Sequence, residues 1–107
     1  MALKHVEPGE VVQLQPMGAA LAKSGTAALV KSDRFEAVRL IVPAGTTIPS
    51  HQVEGFITLF CLEGHAFLGV DGEVELRSGD WIYLERGTPH SVRAAEDSAL
   101  LLTILFD

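Results

Sequence analysis

The sequence predicts an all-β sandwich or barrel, on three observations. From residue 29 onward, short segments rich in Val, Ile, Leu, Phe and Thr are interrupted by turn formers at intervals of roughly eight to twelve residues. Glu73-Val74-Glu75-Leu76-Arg77 alternates strictly between polar and apolar, the period of a strand with one wet face. Asp71-Gly72 joins two such runs and signals a hairpin, because a type I′ turn needs positive φ at both central positions.

Residues 1–28 read as an irregular N-terminal arm and 29–107 as the barrel. In the arm, Val11-Val12-Gln13-Leu14 can add an edge strand, and residues 17–22 can form one helical turn or a loop across the barrel end. Strands are expected over 29–31, 35–42, 56–62, 66–70, 73–77, 81–84, 91–94 and 100–106, mostly antiparallel. The last of these, Leu100-Leu101-Leu102-Thr103-Ile104-Leu105-Phe106, is apolar on both faces and should be covered on both. A second chain can provide one cover, so a homodimer joined through this strand is the expected assembly.

The 107 residues fit one domain and leave no room for two independent cores. With 8 basic against 14 acidic residues, a net charge of −6 and no Lys or Arg cluster, nucleic-acid binding and attraction to anionic membranes are disfavoured. Cys61 is the single cysteine, which removes intrachain disulfides and thiolate-rich metal knuckles; between Phe60 and Leu62 it reads as a buried thiol. The N-terminus reaches acidic residues and Pro8 before any long apolar run, and nothing approaches the ~20 apolar residues of a membrane span, so a soluble cytoplasmic protein is expected.

Two histidines stand in glycine-punctuated frames, Gly45-x5-His51 and Gly79-x7-Gly87-x2-His90. Each alone reads as a loop residue bonding a backbone carbonyl; together they can converge on one pocket. His5 and His65 have no such frame and are expected at the surface. Ser50 and Ser91 adjoin the two histidines in sequence, but neighbouring strand residues face opposite ways, so neither pair makes a nucleophile and base. No phosphate loop, G-x-G-x-x-G or calcium loop is present.

These frames resemble the two motifs of the cupin superfamily, G-x5-H-x-H-x3,4-E-x6-G and G-x5-P-x-G-x2-H-x3-N, over roughly residues 38 to 106. The resemblance implies a double-stranded β-helix, the jelly-roll barrel, and departs from the family at its metal ligands. Val53 stands where the second histidine would be, and Ile57 or Thr58 where the glutamate would be; Glu85 and Ala94 replace a proline and an asparagine. His51 and His90 are the two remaining family ligands. Glu54 could complete a set only if Gly55 bends the chain, and Cys61 lies too far along its strand.

The implied site is a pocket of His51, Val53, Ile57, Leu59 and His90, with an apolar floor and two imidazoles at its mouth, suited to a small, partly apolar ligand. Trp81, Tyr83, Phe56 and Phe60 are candidates for pocket lining, core or dimer surface. One reading is a small-molecule-binding domain without an intact four-ligand metal site. Another is a dioxygenase- or isomerase-like enzyme in which His51 and His90, with water or a further side chain, hold one divalent transition metal: iron, manganese, nickel, copper or zinc. A third is a structural or interaction protein whose histidines are incidental.

Overall fold

The computed structural model describes residues 5–106; Met1 to Lys4, read above for a leader signal, and Asp107 lie outside it. A 3-10 helix, Gly18–Lys23, precedes nine strands: β1 (Ala27–Lys31), β2 (Phe35–Val42), β3 (Thr47–His51), β4 (Phe56–Glu63), β5 (His65–Gly69), β6 (Glu73–Arg77), β7 (Trp81–Leu84), β8 (His90–Ala94) and β9 (Ser98–Leu105). They form two antiparallel sheets, ordered β1-β2-β9-β4-β7 and β3-β8-β5-β6, which make a jelly-roll sandwich.

Eight strands fall where alternation and turn signals predict them, within two residues at each end. β3 is the strand that the sequence did not predict. Pro49 lacks an N–H and breaks the hydrophobic rhythm, yet β3 is an edge strand, where a missing donor is tolerated. The hairpin between β5 and β6 has positive φ at Asp71 (49°) and Gly72 (109°), as expected, with Val70 also outside the ladder. In the arm, residues 11–14 form no strand.

Ladder partners share a face, so the register of the five-stranded sheet sorts its side chains. One face carries the rows Leu40–Leu100–Cys61, Val38–Leu102–Leu59–Ile82 and Glu36–Ile104–Ile57–Leu84. All of these residues but Glu36 and Val38 meet Ala66, Leu68, Leu76, Val92 and Ala94 of the other sheet in one apolar cluster. The outer face carries Arg39–Leu101–Phe60–Trp81, Ala37–Thr103–Thr58–Tyr83 and Phe35–Leu105–Phe56. At one end this outer face is covered by the chain itself: Leu21 of the 3-10 helix and Met17 pack on Ile41, Ala99 and Leu62. Glu63 pins that segment, its carboxylate accepting from the Met17 N–H at 2.6 Å and the Gly18 N–H at 3.0 Å. At the far end of β9 this face is less covered, and Leu105 is 47% exposed.

Cys61 is fully buried, its thiol donating weakly to the Glu63 carbonyl at 3.6 Å. Burial pushes its pKa above the ordinary 9.0, and the Asp80 carboxylate pushes it further. A thiol whose folded pKa is raised contributes stability that is complete below the unfolded value and is lost as pH rises through the folded one. Native protein should therefore leave Cys61 unlabelled by a thiol reagent, and stability should decline above pH 9.0 in the wild type and less so in Cys61→Ala, read by urea titration.

His65 is not the free surface residue that its turn position suggests. It lies half-buried on the outer face of the second sheet, with Nε2 2.6 Å from the Glu75 carboxylate, which Arg77 also binds at 3.0 Å. The His65 bond first, then Arg77, hold the Glu75 carboxyl below its ordinary range. That contribution is present above the ordinary carboxylate pKa and is lost as pH falls through the depressed one. Arg93 on the same face bridges to Glu73 and lies over the Phe67 ring.

Candidate functional site

His51 ends β3 and His90 begins β8, and the ladder pairs them directly. Two turns with matching hydrogen bonds lead into these strands. In Pro43-Ala44-Gly45-Thr46 the Thr46 N–H bonds the Pro43 carbonyl at 3.0 Å, and in Glu85-Arg86-Gly87-Thr88 the Thr88 N–H bonds the Glu85 carbonyl at 3.2 Å. Gly45 (φ 80°) and Gly87 (φ 74°) occupy the third position of each, where a type II turn requires positive φ. This is the physical content of both glycine frames.

A bulge then aims His51. Ile48 pairs with Val92 and His51 with His90, so β3 spends three residue steps where β8 spends two. Side chains in a regular strand alternate, which would put His51 on the face opposite Ile48; the extra residue at Pro49-Ser50 turns it back to the face of Val92 and His90. Val92 is 2% exposed and His90 3%, so that face is the interior one.

The two rings lie with centroids 4.4 Å apart at 55°. His51 Nδ1 is 3.0 Å from the Pro49 carbonyl and His90 Nδ1 is 2.9 Å from the Thr88 carbonyl, the same bond to the residue two before in both. A carbonyl oxygen only accepts, so each Nδ1 donates and carries the proton, and in the neutral ring each Nε2 offers a lone pair. The loop reading and the convergent reading thus both describe these histidines: the carbonyl bond of the first fixes the tautomer used by the second.

Of the other predicted pocket residues, Val53 is half-buried against the core, while Ile57 and Leu59, 2% and 1% exposed, are full members of it. His51 is exposed and His90 buried, so the pair spans from solvent to the apolar cluster that begins at Val92. Trp81, Tyr83, Phe56 and Phe60 all sit on the outer face of the five-stranded sheet and line nothing near the histidines.

A divalent metal is tested by the donor set. Catalytic sites use at least three protein ligands, and among the described residues no group of three His, Cys, Asp or Glu side chains is placed to hold an ion. Glu54, exposed on the bend before β4, joins no such group, and Cys61 is core. Among the described residues, two imidazoles alone do not make the donor set of a resident metal.

The cupin domain family matches residues 38–106, and the chain belongs to it. Among solved structures, a conserved protein of unknown function from Streptococcus pyogenes is 19% identical with a TM-score of 0.77, covering 100% of this chain and 96% of that one. An RmlC-like cupin protein from Desulfovibrio desulfuricans is 26% identical with a TM-score of 0.69, covering 96% of each chain. The DMSP lyase DddQ from Ruegeria pomeroyi is 25% identical with a TM-score of 0.68, covering 78% of this chain and 46% of that one. No curated protein matches the chain. The fold is therefore shared by enzymes and by proteins without a stated activity, and among the described residues no helix is long and apolar enough to cross a membrane.

Proposed function

We propose that this cupin domain binds a small molecule at the mouth formed by His51, His90 and Val53. The observation that carries the reading is the carbonyl-locked histidine pair, which offers two Nε2 lone pairs at the edge of an apolar cluster. Lone pairs accept, so the ligand presents O–H or N–H donors on a compact apolar body, the class of small alcohols, phenols and amines. In the same reading the working form is a homodimer.

The second reading, a metal-dependent enzyme of dioxygenase or isomerase type, draws on the same Nδ1 bonds, because ligating histidines commonly donate their other N–H to a carbonyl. It needs ligands beyond the two that this chain brings together.

A thermal-shift screen with small phenols, alcohols and amines, run beside elemental analysis of untagged protein, separates the two. A ligand at a hundred times its Kd stabilises by about 2.7 kcal/mol, about 10 °C for a domain of this size. The shift should appear in wild type and vanish in His51→Ala, whose exposed ring can be removed without opening the core. Stoichiometric metal lost from both His51→Ala and His90→Ala would favour the enzyme reading, and neither response would leave the pair without a ligand.

A further inference from the structure

Away from the histidine pair, a groove runs between the N-terminal arm and the edge strand β1. Local turn chemistry shapes it. Pro8 and Gly9 are the central residues of a turn in which the Glu10 N–H bonds the Glu7 carbonyl at 3.0 Å, and Gly9 has φ 86°, the conformation that a type II turn requires at its third position. Glu10 also closes this turn with its side chain, which accepts the Glu7 N–H at 2.9 Å. β1 takes two residue steps from Ala28 to Val30 where β2 takes one, so Leu29 is the extra residue of a bulge, and its carbonyl accepts the Val6 N–H at 2.7 Å. The groove between arm and strand has a volume of about 330 Å³, within the range of small-molecule sites.

Its walls suit an apolar body: Val6, Val11, Val12, Ala28 and Leu29. Val11 is 84% exposed, a hydrocarbon side chain that the described chain leaves in water. Arg39, presented from β2, lines the same groove. It makes no hydrogen bond or ion pair with any described residue, and its Nε is buried without an acceptor. Buried polar groups are nearly always paired, so this donor calls for an acceptor that the described residues do not supply. Glu10 lines the groove as well and makes no ion pair with Arg39; His5 and Gln13 are the other polar residues along it.

We infer that this groove binds a monocarboxylate with a compact hydrocarbon body, an aryl or medium-chain alkyl acid, whose carboxylate pairs with Arg39 and whose body covers Val11 and Val12. A carboxylate presents two acceptors in one plane, the pattern that a guanidinium fork matches. The Glu10 carboxylate offsets the single cation of the groove, so a second negative charge on the ligand meets repulsion, and dicarboxylates and phosphate are disfavoured. The site lies outside the sandwich interior and does not rest on the histidine reading.

The test is calorimetric titration of the full, untagged chain with hexanoate and with phenylacetate, with methyl NMR to locate the contact. Both acids are expected to bind and to shift the Val11, Val12 and Ala28 methyl signals, and hexanol and succinate should bind at least about 10-fold more weakly. Arg39→Met keeps an unbranched apolar stem and removes the donor without an acceptor, so it should melt no lower than wild type and bind hexanoate about 10- to 100-fold more weakly. Val11→Glu, at an exposed site, should fold normally and weaken hexanoate as well. Arg93→Met, the same loss of charge on the outer face of the other sheet, should leave the affinity unchanged. No binding of either acid overturns the inference, as does hexanol binding as tightly as hexanoate, affinity that ignores both Arg39→Met and Val11→Glu, or equal weakening by Arg93→Met. Shifts confined to the His51 and His90 rings would place the acid at the histidine mouth, and groove signals that follow protein concentration instead of added acid would give the groove to a second copy; either result likewise overturns it.

Discussion

Leu100→Asp is expected to leave no folded protein, whereas Leu105→Asp, five residues along the same strand, is expected to fold normally. Strand parity separates them. Leu100 lies in the row Leu40–Leu100–Cys61, is fully buried and belongs to the main core. A carboxylate there must be desolvated without a partner or be protonated, and the cavity left by the leucine adds to the loss; together these cost about 4 kcal/mol or more. A small domain has about 5–15 kcal/mol in total, so the native population collapses. Leu102 shares this face and should follow Leu100. Leu105 faces outward and is 47% exposed, so its aspartate variant should keep the wild-type near-UV circular dichroism and urea midpoint at the monomer level while losing self-association. If both variants unfold, or both remain native, the assignment of β9's two faces fails.

Gly64→Ala should be nearly as damaging, for a different reason. Gly64 links β4 to β5 at φ 103°, a region that L residues rarely adopt. A Cβ added there would stand 2.6 Å from the Ser98 Cα, an approach that only backbone movement can relieve. Ser98 is fully buried and accepts the His65 N–H at 3.0 Å, so moving it also disturbs the start of β5. Strain of about 1–3 kcal/mol from the backbone conformation, with the clash added, predicts a fall in Tm of more than about 10 °C. Gly25→Ala is the control: its Cβ would meet nothing within 4 Å, and its change should stay within about 0.5 kcal/mol. Equal melting of the two variants would show that the β4–β5 connection is looser than described.

How much of this was legible in the sequence follows from the range of each interaction. Strict alternation in β6 and the Asp71-Gly72 turn are local, and both appear where they were expected. β3 was hidden because its pairing comes from β8, some forty residues away, while Pro49-Ser50 erases the local pattern. The apolar character of β9 on both faces was plain, but which face the chain itself covers depends on strand order, which periodicity does not encode. The anchoring of residues 17 and 18 by Glu63 spans 45 or more positions and left no motif.

At the candidate site, spacing was enough to single out His51 and His90, because the type II turns ahead of both strands demand glycine at fixed places. Spacing did not show that a bulge re-aims His51, nor that matching carbonyl bonds select one tautomer in both rings. Ile57 and Leu59, expected on the pocket floor, are buried members of the main core, and Val53 packs half-buried against it.

The proposal for the site depends on both rings holding their protons on Nδ1 and leaving Nε2 free. Long-range proton–nitrogen correlation spectra of the two imidazoles report this directly. Nδ1–H tautomers are expected for His51 and His90, with Nε2 resonances of unprotonated nitrogen that move when a stabilising phenol, alcohol or amine is added. Nε2–H tautomers in either ring, or Nε2 signals indifferent to every compound that raises the Tm, would contradict it.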